Sequence, residues 1–143
     1  NDAFYAPKRS YYSLGENAVH LGRSGSKAQA KVSSVIHELG HWLDQNHPEI
    51  KEEVADFYEK RTKGNPIVLL ENVMDYGGYQ GEMTKVDKFI HPYMGKVYKK
   101  DKATEVLSMG LELMHGNPAY LAKKDPEMFD FIYKVVRRGI RRK

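Results

Sequence analysis

The chain has 143 residues, no cysteine and a formal net charge of +4, with 29% charged residues. That length suits one domain with a core of its own. The lack of cysteine excludes disulfides and thiolate metal ligands, so a metal site here has to draw on histidine and carboxylate. No apolar run reaches the roughly 20 residues of a membrane-spanning helix, and no secretory leader is visible. The abrupt start at Asn1-Asp2-Ala3 is what a segment excised from a longer protein would give.

Residues 3–21 read as short strands: Ala3-Phe4-Tyr5-Ala6, then 10–14, then Ala18-Val19-His20-Leu21, with turns at Pro7-Lys8-Arg9 and Gly15-Glu16-Asn17. A sheet edge beside the following helix would let an extended peptide pair with it, and His20 is a candidate to line that edge. Residues 22–25 form a loop into a helix in which Val32, Val35, Ile36, Leu39 and Leu43 recur at the 3.6-residue period as a buried stripe. Ser24 or Ser26 can cap its start, and Pro48 bars it from continuing past Asn46 or His47. A second amphipathic helix spans 49–63, with Ile50, Val54, Phe57 and Tyr58 inward. Gly64 ends it and Asn65-Pro66 begins a new segment. A short apolar run follows at 67–70, then a loop-rich stretch at 71–95 with a short helical piece at 87–90.

Residues 103–115 have good helix propensity, with Val106, Leu107, Leu111 and Met114 apolar. Asn117-Pro118 and Asp125-Pro126 each pair an N-cap residue with proline at the first helical position. The last helix is expected over 126–138, burying Met128, Phe131, Ile132 and Val135, with Gly139 as its stop. The basic run of Arg137, Arg138, Arg141, Arg142 and Lys143 reads as a solvated helix end, where cations are favoured, rather than a nucleic-acid surface. The expected class is α+β, mostly helical, with a small N-terminal sheet beside the first helix.

Within that first helix lies His37-Glu38-Leu39-Gly40-His41, an H-E-x-x-H motif. Histidines at i and i+4 share a helix face, so both imidazoles can reach one metal ion. The glutamate between them can take a proton from water at that ion. This is the signature of a zinc peptidase. Such a site needs a third protein ligand, and two residues compete for it. His47 has the spacing of the metzincin pattern H-E-x-x-H-x-x-G-x-x-H, although Asp44 stands where that pattern has glycine. Asn72-Val73-Met74-Asp75-Tyr76 looks like a methionine turn, and with residues 37–42 it resembles the pappalysin group in part. Glu105, on a later helix, would give a His2Glu site and is preferred because a rigid element carries it. Glu112, seven residues on and on nearly the same face, could hold a ring nitrogen of His37 or His41, as could Asp44.

Thr104-Glu105-Val106-Leu107-Ser108-Met109-Gly110-Leu111-Glu112 resembles the E-x-x-S-M-G segment of phage and prophage metallopeptidase domains associated with minor head or morphogenesis proteins. Asp87-Lys88-Phe89-Ile90, Pro92-Tyr93-Met94-Gly95-Lys96-Val97-Tyr98 and Lys124-Asp125-Pro126-Glu127 are similar to that family too, so the likeness covers most of the chain. A more distant likeness is to the catalytic domain of anthrax lethal factor. There a tyrosine, a ligand glutamate seven residues on and a Leu-Met-His stretch are spaced like Tyr98, Glu105 and Leu113-Met114-His115. These resemblances imply a zincin-like fold over 1–143 and Zn2+ held by His37, His41 and Glu105. They also imply Glu38 as general base and Tyr98, with Tyr93 and Tyr76 as alternatives, as a hydrogen-bond donor to the transition state. The implied activity is endopeptidase action on peptide or protein substrates. Phage structural proteins are the implied partners, and membrane and nucleic acid are not. The implied location is cytoplasm or virion. The contrasting expectation is a zinc-stabilised structural module of a phage particle without turnover.

Overall fold

The computed structural model describes residues 3–6, 10–22, 32–75, 79–99 and 103–141. Its elements are β1 (Ala3–Ala6), β2 (Tyr11–Ser13), β3 (Ala18–Gly22), α1 (Val32–Asn46), α2 (Pro48–Arg61), β4 (Ile67–Leu69), β5 (Met83–Lys85), α3 (Val106–Gly116), α4 (Pro118–Lys124) and α5 (Pro126–Arg141), with 3-10 turns at Leu70–Asn72 and Pro92–Gly95. The class is α+β, with five helices and two small sheets among the described residues. No helix there is long and apolar enough to cross a membrane.

Local chemistry sets where the helices begin. Asn117 accepts a hydrogen bond from the Tyr120 amide at 3.0 Å and Asp125 accepts one from the Met128 amide at 3.0 Å, each followed by proline at the first helical position. The core gathers Val54 and Tyr58 from α2, Met94, Val106 and Leu107, Leu121 from α4, and Met128, Ile132 and Val135 from α5. Burial beside Glu59 pushes the Tyr58 phenol up to about 12, so it stays a donor, and its hydroxyl bonds the Gly95 carbonyl at 2.9 Å.

The N-terminal sheet runs β1-β3-β2, with β1 parallel and β2 antiparallel to β3. Its hairpin turns through Asn17 at φ 49, a left-handed conformation that asparagine tolerates. The sheet lies against α1. Asn46, at the end of α1, donates to Tyr12 Oη at 3.0 Å and to Asn17 Oδ1 at 3.2 Å, which ties the hairpin to the helix.

Several sequence expectations need correction. His20 sits on the central strand, stacked on Tyr11 with ring centroids 4.5 Å apart, and so does not line an edge. Val32 and Leu39 are exposed, at 61% and 47%. Val35, Ile36 and Leu43 are half-buried, Leu43 against the core, while the fully buried positions of α1 are Glu38, Gly40 and Asp44, with Gly40 against Ser108 of α3. Residues 87–90 are not helical. Asp87 is drawn to Arg61, and the helical turn begins only at Pro92, where His91 Nδ1 accepts from the Tyr93 amide at 3.2 Å. Strand β5 falls inside the stretch expected to be loop and pairs antiparallel with β4. The third helix starts at Val106, not at residue 103. The last helix passes through Gly139 to Arg141. Glycine costs a helix only about 1 kcal/mol against alanine, which neighbouring turns can absorb. Ser24, Ser26 and the final Arg142-Lys143 lie outside the described residues.

Arg61 closes the far side of the fold. Its guanidinium meets Asp125 through two bonds at 3.0 and 3.1 Å and Asp87 at 2.8 Å, and it lies 4.7 Å from the Phe89 ring centroid. Asp125 also caps α5, so one buried cation joins α2, the 87–90 segment and α5. Arg61→Ala leaves the buried Asp125 and the half-buried Asp87 without their cation. It is expected to cost about 3–5 kcal/mol in urea unfolding, the usual loss for half of a buried pair.

Candidate metal centre

The site is built where α1 crosses α3. Gly40 presents no side chain to Ser108: a methyl group there would stand 2.5 Å from Ser108 Cα and 3.0 Å from its amide nitrogen. The two backbones therefore meet directly, and residues within one turn of the contact are brought together. On α1 these include His37 and His41. On the α3 side it is Glu105, in the N-cap position.

His37 Nε2 lies 3.3 Å and His41 Nε2 lies 3.2 Å from Glu105 Oε2. One donor atom from each of the three residues falls within 4.8 Å of the others, and among the described residues this is the only such group of three or more. Ligands at about 2.0–2.1 Å from a tetrahedral zinc ion sit roughly 3.3 Å from one another. The histidine–carboxylate spacings match that value. Two imidazole nitrogens and one carboxylate oxygen form a donor set that suits zinc and several other divalent ions.

Glu105 is 1% exposed. Burial alone would raise its pKa, but hydrogen bonds from His37 and His41, the nearby charge of His41 and a hydrogen bond from Tyr98 outweigh it and hold the carboxyl well below the usual range. Ser108 Oγ adds a bond to Oε2 at 3.0 Å. The carboxylate is thus anionic and fully oriented. For His37, burial lowers the pKa, yet contact with Glu105 and the charges of Glu105, Glu38 and Glu112 raise it overall. Glu38 is buried at 6% exposure and close enough to act on His37.

Tyr98 donates a short hydrogen bond to Glu105 Oε1. Burial, and then the Glu105 charge, push its phenol far above the ordinary range, so it remains a donor. Lys96 supports the ring from one face, its ammonium 4.8 Å from the Tyr98 centroid. That ammonium also pairs with Glu82 at 2.9 Å and donates to the Tyr93 hydroxyl at 3.1 Å. Tyr93 is thereby engaged elsewhere, and Tyr76 lies outside the described residues.

His47 does not join the cluster. It is the N-cap residue of α2, with Nδ1 3.5 Å from Glu49 Oε1 and its ring edge-on to Trp42. Asp44 is buried and accepts a bond from Gln45 at 3.2 Å. Glu112 Oε2 lies 3.3 Å from His37 Nδ1. The roles of Gly40, Ser108 and Lys96 were not drawn from the sequence. A glycine inside a strong helical pattern is the signal that was available, since its cost there implies a close approach. No family model, curated protein or solved structure matches the chain.

Gly40→Ala tests the crossing. The added methyl has only backbone and Cβ of Ser108 to displace. The variant is expected to lose about 1–3 kcal/mol in denaturant unfolding and to bind zinc more weakly than the parent in chelator competition. Parental stability together with parental zinc affinity would show that the helices do not depend on this contact.

Proposed function

We propose that the chain is a zinc-dependent endopeptidase with a zincin-like fold, using His37, His41 and Glu105 to hold the ion. The observation that carries the reading is the convergence of two imidazoles and a buried carboxylate from distant parts of the chain, with the buried carboxylate of Glu38 beside them. A divalent cation held there would acidify a water molecule and polarise a peptide carbonyl.

The remaining work falls to the chain's own side chains. Glu38 accepts the proton released as water attacks the carbonyl carbon, then delivers it to the departing amine nitrogen. Burial beside the site keeps this carboxylate close to the reacting atoms. Tyr98, protonated at working pH, donates a hydrogen bond to the carbonyl oxygen as charge develops on it, a contribution of roughly 3 kcal/mol for one donor in comparable sites. To do so its hydroxyl exchanges the Glu105 carboxylate for substrate. Ser108 holds Glu105 in place through that exchange. A prophage setting and phage structural proteins as substrates or partners are proposed from the likeness of residues 104–112.

Two expected outcomes follow from these roles. Glu38→Gln should bind zinc as the parent does while kcat/KM on a cleaved peptide falls roughly 100- to 10,000-fold, the range for loss of a general base. Cleavage at the parental rate would sink the mechanism. Glu105→Ala should lose zinc in metal analysis after dialysis, whereas His47→Ala should keep it. The opposite pattern would assign the third ligand to His47.

A further inference from the structure

We propose that Glu112 is a positioning residue for His37: its carboxylate accepts the Nδ1 proton and so fixes the imidazole in the tautomer that turns a bare Nε2 toward the ion site. The inference rests on the metal-binding reading above and extends it to a residue that touches no metal.

A neutral imidazole carries one proton for two nitrogens, and the partner of one nitrogen decides the state of the other. A carboxylate offers only lone pairs, so each ring nitrogen that faces one donates to it until a cation takes its place; an ion held at Nε2 leaves the proton on Nδ1, facing Glu112. Glu112 Oε2 lies 3.3 Å from His37 Nδ1, while Nε2 of the same ring lies 3.3 Å from Glu105 Oε2. The ring is therefore held at both ends by one stretch of chain. Glu105 sits at the N-cap of α3, and Glu112, seven residues further, returns to nearly the same face after about two turns. The helix acts as a ruler whose two carboxylates bracket the imidazole.

Charge supports the assignment. The carboxylates of Glu105 and Glu112 together would balance the charge of a divalent cation. A carboxylate on the far nitrogen also makes the ligating nitrogen more basic. Glu112 has 38% side-chain exposure, so water competes for its contact and the effect should fall toward the low end of the 10- to 100-fold range known for such partners. The same exposure means that truncation should leave the fold intact.

The test measures zinc dissociation constants by chelator competition for the parent, Glu112→Ala, Glu112→Gln and Glu105→Ala, with 15N signals of the His37 ring in the zinc-loaded proteins. Glu112→Ala should bind zinc about 10-fold more weakly with its apo unfolding midpoint unchanged. Glu112→Gln, whose amide oxygen can still accept the proton, should recover much of that loss. The parental His37 signals should report a protonated Nδ1. Parental affinity in Glu112→Ala, alongside zinc loss in Glu105→Ala, overturns this inference and leaves the metal site standing. A Gln variant as weak as the Ala variant, or an unprotonated Nδ1 in the parent, overturns the tautomer assignment. Absence of zinc binding by the parent overturns the metal reading and this inference together.

Discussion

The backbone contact between Gly40 and Ser108 is the constraint on which the rest of the site depends. Two helices normally keep axes 8–10 Å apart because side chains stand between them. Here one partner has no side chain, and a methyl group would reach the other's Cα. The closeness does two things at once. It lets imidazoles from α1 reach a carboxylate at the foot of α3, and it leaves no room for water between the helices at that level. The arrangement repeats more softly on the other side of α3. There Gly110 faces Ile132 and Met128, whose side-chain ends can give way. Helix α3 is thus pressed between α1 and α5, its position set by small residues on two faces.

Much of the fold was legible because local chemistry determines it. The two proline-led helices declare themselves through Asn117 and Asp125, whose side chains cap the amides that the sequence pattern says they should. The hairpin of β2 and β3 follows from its turn residues. What could not be read is what long-range pairing decides. Strand β5 is three residues long and exists because β4 lies beside it, with Val68 opposite Thr84. Nothing in Met83-Thr84-Lys85 alone announces a strand. The stripe on α1 misled for a related reason. Apolar periodicity alone did not show that α1 also buries Glu38, Gly40 and Asp44, while Leu43 of the stripe packs against the core as expected.

The site divides the same way. His37, Glu38 and His41 were legible because their chemistry is written within five consecutive residues on one helix. Glu105 lies 64 residues beyond His41, so spacing alone could not separate it from His47, and it is preferred because a rigid element carries it. The fold brings Glu105, and not His47, to the two imidazoles. His47 begins α2, where Pro48 forces a change of direction, and its ring turns toward Trp42 and Glu49 rather than back along α1. Ser108 and Lys96 were invisible as participants because each acts on another participant, one holding Glu105 and the other lying against Tyr98.

The position of Glu105 at a helix start carries a cost that bears on its purpose. A short polar N-cap residue (Ser, Thr, Asp or Asn) ordinarily turns its side chain onto the free amides of the first turn, for a gain of about 1 kcal/mol. Glu105 makes no such bond. Its carboxylate turns instead toward α1, and Thr104 Oγ1 receives the Val106 amide at 3.3 Å in its place. The same carboxylate is buried, which in isolation is among the most unfavourable placements a charge can take. Glu105 is thus a buried carboxylate that leaves the helix amides to Thr104 and has His37, His41, Tyr98 and Ser108 arranged around it.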